Sequence, residues 1–257
     1  MEKTKQTFAI YSQNLDFTSK ASLLSLGNMV LDIAGIDANK KGFGVDAVLS
    51  HNYAWVAMRM RLRILRYPEE SENVNAETWI ENWSKFTTQR DCVMTDDNGN
   101  RIMEAAIIFT LIDFNLRQTV NMLDKLPDYG GFINPDILET CAPGKVRQPQ
   151  NETLIGQHTV SINDLDVNMH VNSFRYIAWI LDCIPIDLYK ENKITDIEIN
   201  FIHEILYGET VTIYYEKIED NVYIFDIHNH EGISANRCKL TFVPVCLLSQ
   251  NNNRPDK

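Results

Sequence analysis

The sequence predicts an α+β protein made of two tandem units, each an antiparallel sheet wrapped around one central helix. Three observations predict this class: a segment near the N-terminus recurs later in the chain, both copies carry a helical apolar stripe, and a run of strands follows each copy. A stretch rich in proline and glycine separates the copies. We therefore expect a first unit at 1–126, a linker at 127–152, a second unit at 153–248 and a polar tail at 249–257.

The repeat aligns 15–37 with 165–187 without a gap. Leucine and aspartate open both copies, and most of the pairs that follow keep their polar or apolar character. Further on, Tyr67-Pro-Glu matches Tyr207-Gly-Glu. Because residues needed for architecture persist in both copies, positions that differ between them are candidates for chemistry.

The elements follow from local patterns. In the first half, apolar spacing over 23–33 predicts a helix with Gly35 near its end, and Asp97-Asn98-Gly99 predicts a hairpin turn. The strands predicted in that half are 54–65, 75–87, 91–95 and 101–114. In the second half, a helix is predicted from Asn172 to Cys183, because Pro185 stops it. The strands predicted after it are 195–205, 210–217, 223–228 and 235–245.

Composition narrows the class of protein. The 257 residues include 35 acidic and 24 basic side chains, and the net charge of −11 argues against sequence-independent attraction to nucleic acid or anionic membrane. No apolar run approaches the roughly 18 residues that span a bilayer. The first residues lack the features of a signal or transit peptide, and the five scattered cysteines form no CxxC pair, so we expect a cytoplasmic protein with reduced thiols.

The second half gathers four polar residues of which the first half keeps only the aspartate: Asp166, Asn168, His170 and Glu204. Their first-half counterparts by alignment are Asp16, Thr18, Lys20 and Ile64. A helix N-terminus beside them would stabilise an oxyanion, the histidine can shuttle a proton, and the glutamate can act as general base or nucleophile. The alternatives are ordinary ones: aspartate and asparagine as helix caps, and Glu204 as a solvent-facing strand residue.

Two other patterns in the sequence concern a basic strand face and a pair of histidines. Met58, Met60, Leu62 and Ile64 alternate with arginines, which predicts a strand with one apolar and one basic face. In an acidic chain this basic face is a candidate dock for an acidic partner, and a plain solvated face is the alternative. The pair His228-Asn-His230 borders a predicted turn with no third ligand in view, so no metal site is expected.

The run from Asn163 through Asp-Leu-Asp-Val-Asn-Met-His-Val-Asn to Pro185 resembles the signature of acyl-ACP thioesterases of the plant plastid type and their bacterial relatives. The likeness extends to 42–48, 55–69, 76–91 and 112–128. It implies a double hotdog fold and hydrolysis of the thioester between a fatty acyl chain and acyl carrier protein (ACP), without a cofactor. Its catalytic positions fall on Asp166, Asn168, His170 and Glu204. Ile205 stands where many plant members have cysteine.

The resemblance also implies an acyl-chain tunnel in the first unit, lined by Leu23, Leu26, Val30, Trp55, Met58 and Met60. The arginines offered for ACP docking are Arg59, Arg61, Arg63 and Arg66. Either a monomer or a homodimer is expected. An acyl-CoA thioesterase of the same fold and a non-catalytic acyl- or ACP-binding module remain the alternatives.

Overall fold

The computed structural model describes residues 2–134, 136, 141–166 and 169–245. The chain divides into two compact units, Met1–Gly144 and Lys145–Lys257, called the first and the second unit below. Each unit contains an antiparallel sheet and one main helix, which confirms the predicted α+β class.

The elements of the first unit are, in chain order, β1 (Thr4–Ala9), α1 (Leu23–Lys40), α2 (Val45–Leu49), β2 (Tyr53–Ile64), β3 (Asn73–Trp83), β4 (Thr88–Thr95), β5 (Arg101–Asp113), β6 (Gln118–Thr119) and α3 (Met122–Lys125). The strands run in the order β1-β3-β4-β5-β2, neighbours being antiparallel, and β6 pairs with β5. The predicted hairpin turn joins β4 to β5, and Gly99 supplies its left-handed residue at φ 83°.

Helix α1 lies where the apolar stripe predicts it. Ser22 caps its start, because the side-chain oxygen accepts a hydrogen bond from the Ser25 N–H at 3.1 Å. Its buried face includes Leu23, Leu26, Met29, Val30 and Ile33. Burying such side chains stabilises the unit by roughly 1.5–3 kcal/mol each.

A buried ion pair explains why α1 continues past Gly35, which the sequence placed near its end. The carboxylate of Asp37 accepts hydrogen bonds from Arg90 Nη1 at 2.5 Å, Lys41 Nζ at 2.9 Å and Thr4 Oγ1 at 2.6 Å. Burial alone would raise the pKa of Asp37, but the Arg90 charge and these hydrogen bonds hold it below its ordinary value. The last turn of the helix is therefore fixed to β4 and β1.

The elements of the second unit are β7 (Thr153–Thr159), α4 (Arg175–Cys183), α5 (Ile186–Glu191), β8 (Asn192–Phe201), β9 (Thr210–Glu219), β10 (Val222–His228) and β11 (Ser234–Pro244). The strands run in the order β8-β11-β10-β9-β7, and neighbours are antiparallel. Short helix α5 was not predicted, and β8 begins and ends earlier than the pattern at 195–205 indicated.

Helix α4 ends before Pro185 as predicted but begins at Arg175, not at Asn172. Asn172 instead forms a turn: its side-chain oxygen accepts from the Phe174 N–H at 3.0 Å, and its backbone oxygen accepts from the Arg175 N–H at 2.9 Å. An asparagine that bonds to the backbone two residues ahead competes with helical geometry, so the helix starts late.

The boundary between the units falls inside the predicted linker, and both ends of that stretch are packed against a unit. Pro127–Phe132 is a 3-10 helix whose Tyr129 is buried and stacks on Trp83 with ring centroids 3.8 Å apart. Further along, the Val146 N–H donates to Asn200 Oδ1 at 2.7 Å. The prolines and glycines mark irregular backbone, but Tyr129, Cys141 and Val146 between them are buried.

None of the helices in the described part of the chain is long and apolar enough to cross a membrane. Four of the five cysteines are described, and they are thiols, not disulfides: Cys92, Cys141, Cys183 and Cys238. Burial raises the pKa of the Cys92 thiol to about 12, which keeps it protonated and unreactive.

Candidate active site

The repeat predicted from sequence reappears as matched backbone hydrogen bonds. The Asp16 N–H donates to Lys20 O at 2.8 Å, and in the second unit the Asp166 N–H donates to His170 O at 2.8 Å. Ser19 in one loop and Met169 in the other hold left-handed backbone, at φ 58° and φ 63°. Each unit therefore contains the same tight loop ahead of its main helix.

In the second unit this loop contains three of the four predicted polar residues, Asp166, Asn168 and His170. Asp166 stabilises the loop, because its Oδ1 accepts from the His170 N–H at 3.2 Å and its backbone oxygen accepts from the Met169 N–H at 3.1 Å. Asp166 thus has a structural role, as its retention in both halves suggests. Asn168, the third predicted polar residue of the loop, lies outside the described residues.

His170 and Glu204 are brought together as the sequence predicts. The distance from His170 Nε2 to Glu204 Oε2 is 3.2 Å, and the two side chains are 24% and 46% exposed. Glu204 follows the end of β8, where the Ile202 and His203 N–H groups both donate to Ala235 O. This bifurcated contact ends the strand ladder, so Glu204 lies in a loop and not on the strand face that the alternation indicated.

The sequence pairing of Glu204 with Ile64 is wrong by three positions. In the first unit, the Leu65 and Arg66 N–H groups both donate to Ile102 O, which is the counterpart of the Ile202, His203 and Ala235 arrangement. The two loops then differ in sequence, so the tyrosine motifs that anchored the alignment do not coincide in space. The residue equivalent to Glu204 is Tyr67.

The sequence alignment indicates that the first unit keeps only the aspartate, but its loops also contain a charged pair. Lys20, the counterpart of His170, forms an ion pair with Glu69 in the loop after β2. A lysine ammonium group is in general a far weaker acid than imidazolium, so lysine does not exchange protons at neutral pH as histidine does. At matching loop positions, the first unit therefore has a lysine–carboxylate ion pair and the second unit has an imidazole beside a carboxylate.

A buried carboxylate that sequence reasoning missed holds the loop in place. Asp164 is fully buried and accepts five hydrogen bonds, from His158 Nε2, the Ser161 N–H and Oγ, Arg175 Nε and Trp179 Nε1, at 2.8–3.1 Å. Burial would raise its pKa, but these donors lower the pKa far below its ordinary value. The repeat contains a signal for this role, because the equivalent residue of the first unit is Asn14. Its Oδ1 accepts a hydrogen bond from the Tyr11 N–H, as Asp164 Oδ2 accepts one from the Ser161 N–H.

Two of the backbone N–H groups expected to bind an oxyanion at the start of α4 already have acceptors within the protein. The Phe174 and Arg175 N–H groups donate to Asn172, so these two are not available to a substrate carbonyl.

Tyr176, in the first turn of α4, is a further polar residue near the site that the sequence patterns did not indicate. Burial, together with the nearby carboxylates of Glu204, Glu209 and Asp166, raises the pKa of Tyr176, so its hydroxyl remains a proton donor.

The residues predicted to line an acyl tunnel occupy the interior of the first unit. Leu23, Leu26, Val30 and Met60 are buried, whereas Trp55 and Met58 are half-buried. Trp55 donates from Nε1 to Phe43 O at 2.9 Å and packs against Tyr129. The described cavities lie elsewhere: one of about 100 Å³ beside Phe43, and one of about 410 Å³ in the second unit between the end of α4 and the sheet. The tunnel stays a prediction.

The basic strand face exists, but some of its arginines are already paired. Met60, Leu62 and Ile64 are buried along β2 while the intervening arginines are half-exposed, as the alternation predicts. Arg63 lies 3.6 Å from Glu104, and Arg66 makes a bidentate ion pair with Glu72 at 2.6–2.9 Å. These two arginines therefore contribute to the first unit itself.

Comparison with known proteins agrees with this architecture. Models of the acyl-ACP thioesterase N-terminal domain and C-terminal domain match residues 1–129 and 147–243. An acyl-ACP thioesterase structure from Bacteroides thetaiotaomicron aligns with a TM-score of 0.80 at 26% identity, covering 94% of this chain and 98% of that one. The 12:0-ACP thioesterase from Umbellularia californica shares the fold, with a TM-score of 0.82 at 20% identity over 94% and 97% of the chains.

Among curated relatives, the chloroplastic oleoyl-acyl carrier protein thioesterase of Coriandrum sativum is 23% identical over 224 residues. That alignment covers 80% of this chain and 60% of the relative, so the chain spans about three fifths of the curated protein's length. The two domain models follow one another in the order of the two units, and together they cover most of the sequence. The chain belongs to the acyl-ACP thioesterase family and has its double hotdog fold.

Proposed function

We propose that the protein hydrolyses the thioester between a fatty acyl chain and ACP, releasing a free fatty acid. The observation that carries the proposal is the contact between His170 Nε2 and Glu204 Oε2 at 3.2 Å, within the part of the chain that matches the family's C-terminal domain. Imidazole beside a carboxylate is an arrangement suited to general acid–base chemistry at neutral pH.

In the proposed mechanism, the Glu204 carboxylate takes a proton from a water molecule, and the water oxygen attacks the thioester carbonyl carbon. The resulting oxyanion accepts hydrogen bonds from His170 and Asn168. When the carbon–sulfur bond breaks, the proton held by Glu204 passes to the sulfur, giving a fatty acid and a thiol. Asp166 and Asp164 keep the loop in position throughout.

The identity of the nucleophile is the open choice within this mechanism. Ile205 is fully buried and offers no nucleophile, so the chemistry falls to the carboxylate, the imidazole and water. Direct attack by Glu204 would instead give a mixed anhydride. A single turnover in ¹⁸O-labelled water detects an anhydride that water opens at the glutamyl carbon, because that route leaves the label on Glu204 and an unlabelled first product.

The test is release of free fatty acid from a panel of acyl-ACPs, run beside the matching acyl-CoAs. We expect hydrolysis that favours ACP, and losses of roughly 10²–10⁴-fold in kcat for Glu204→Gln and His170→Ala. His203→Ala is the matched control, since His203 is exposed and adjacent to Glu204, and it should keep wild-type activity. Wild-type turnover in Glu204→Gln would overturn the mechanism, and tight binding without release would make the protein an acyl-ACP-binding module.

ACP docking on the basic face of β2 is part of the proposal. Of the four arginines, Arg63 and Arg66 serve internal ion pairs, and Arg59, half-exposed on β2, is the better test position. Arg59→Glu should raise KM for acyl-ACP, more at low salt than at high salt, while leaving acyl-CoA hydrolysis unchanged. Lys217→Glu on β9, also a charge reversal of a half-exposed side chain, is the control. Equal effects of both reversals would rule out the patch.

The remaining parts of the proposal concern setting and assembly. A cytoplasmic location is supported by the thiol state of the described cysteines, which is typical of a reducing compartment. The acid–base pair and water supply the chemistry, so no cofactor is invoked. Sedimentation of the purified chain decides between a monomer and a homodimer.

A further inference from the structure

Three side chains with metal-binding atoms meet on the second unit's sheet, on strand β10 and beside β7. Asp226 and His228 are two residues apart on β10 and so point to the same face, while Glu152 lies immediately before β7. One ligand atom from each residue lies within 4.8 Å of the other two. Sequence patterns indicate no third ligand for His228, because Glu152 is distant along the chain and approaches His228 only through strand pairing.

His228 is buried more deeply than a turn residue. Its side chain is 14% exposed, and its Nε2 atom is buried without a hydrogen-bond partner among the described residues. Buried ring nitrogens are almost always satisfied, so a bare one calls for an explanation. The ring packs against Tyr214 with centroids 4.8 Å apart, which fixes the direction in which Nε2 points.

The spacing of the ligand atoms fits a tetrahedral cation. His228 Nε2 and Asp226 Oδ1 are 3.5 Å apart, too far for a good hydrogen bond. Zinc binds nitrogen and oxygen ligands at about 2.0–2.2 Å, which places two ligands of a tetrahedron roughly 3.3–3.6 Å apart. Glu152 is exposed, so its side chain can close the remaining distance.

Hydrogen bonds from neighbouring side chains orient the Asp226 carboxylate, as is usual for a carboxylate that binds a metal ion. The side chain is fully buried, Ser234 Oγ donates to its Oδ1 at 2.5 Å, and Arg237 Nε donates to its Oδ2 at 2.9 Å. Such outer contacts orient a ligating carboxylate. The Arg237 charge also opposes a cation, so the site should bind less tightly than one without a nearby arginine.

We propose that Glu152, Asp226 and His228 form a binding site for a divalent cation of the zinc class, with water completing the tetrahedron. One imidazole with two carboxylates favours zinc over magnesium or calcium, which prefer all-oxygen sites with more ligands. The cation would tie the residues before β7 to β10. The site uses none of the residues assigned to hydrolysis and stands independently of the proposed function.

The test is isothermal titration of the metal-free full-length chain with ZnCl₂, with MgCl₂ and CaCl₂ as comparisons. Glu152→Gln is the main variant, because an exposed residue can be changed without disturbing the fold, and it should weaken zinc binding at least tenfold. His228→Gln should abolish it. His230→Gln is the matched control, a more exposed histidine two residues away, and it should bind as the wild type does.

Thermal unfolding gives a second readout. Zinc should raise Tm of the wild type and of His230→Gln but not of Glu152→Gln or His228→Gln. Zinc binding that survives in both site variants would overturn the proposal, as would wild-type protein that takes up no zinc.

Discussion

Asp164→Asn tests how the second unit holds the loop that contains Asp166 and His170. The Asp164 carboxylate satisfies five donors: Oδ2 accepts from His158 and from the N–H and hydroxyl of Ser161, and Oδ1 accepts from Arg175 and Trp179. Asparagine has nearly the same shape but offers one acceptor oxygen and one donor group. Some of the five donors must therefore face an NH₂ group after the substitution.

The magnitude follows from the better of the two amide orientations. With its NH₂ toward Ser161, the Ser161 hydroxyl and the His158 ring can reverse their roles and accept, but the Ser161 N–H cannot. One buried N–H without an acceptor costs about 1–3 kcal/mol, and the ion pair with Arg175 is also lost. Because the Arg175 side chain is 37% exposed, water offsets part of the lost ion pair, and we expect a loss of about 1–3 kcal/mol in the free energy of unfolding.

The assay is urea unfolding followed by circular dichroism between pH 7 and pH 2. The pKa of Asp164 is depressed, so its contribution is complete above the ordinary aspartate pKa of about 3.9 and is lost as pH falls toward the folded value. Wild type should therefore lose more stability below pH 4 than Asp164→Asn does. Asn14→Ala, which removes a single hydrogen bond at the equivalent position, should cost only about 1 kcal/mol. A difference below about 0.5 kcal/mol for Asp164→Asn at pH 7 would refute this reasoning.

Further substitutions probe other contacts by urea unfolding. A Cβ on Gly156 would lie 2.4 Å from Cys183 Sγ, so Gly156→Ala should destabilise by about 1–3 kcal/mol, and adding Cys183→Ala should restore most of the loss. Additive losses would contradict the clash. Met169→Gly should stabilise by up to about 1 kcal/mol, since glycine adopts φ 63° without strain, and a destabilised variant would show the side chain to be needed. Arg90→Met should lower the free energy of unfolding by about 3–5 kcal/mol, because it leaves the carboxylate of Asp37 buried beside fewer donors. Adding Asp37→Asn to the same chain should recover part of this loss. If no stability is recovered, Arg90 acts through packing alone.

Sequence patterns succeeded where one physical signal dominates. Helix α1 and the alternation along β2 were predictable because a buried stripe and a half-buried strand each impose a clear period. The contact of His170 with Glu204 was predictable through the resemblance, although the residues are far apart in sequence. Local periodicity alone placed Glu204 on a strand, because it cannot register the paired N–H contacts to Ala235 that end β8.

The failures come from interactions that alter backbone locally or join distant segments. Asn172 delays α4 through a side-chain bond that leaves no trace in hydrophobic spacing. Tyr67 and Tyr207 share a motif but differ in loop position, so matching letters gave a register that hydrogen bonds contradict. The partners of Asp164 come from β7, the adjacent loop and α4, and Glu152 reaches His228 from the segment before β7, so these contacts depend on how the elements pack in the folded unit.

The loop shared by both units has a consequence for protein engineering. Lys20 sits on the same hydrogen-bonded backbone turn as His170, down to the left-handed residue before it. A reactive group could therefore be grafted into the first unit by exchanging side chains on an existing scaffold, beginning with Lys20→His and Tyr67→Glu. The duplicated chain thus contains a second backbone position into which the proposed catalytic pair can be transferred without redesigning the main chain.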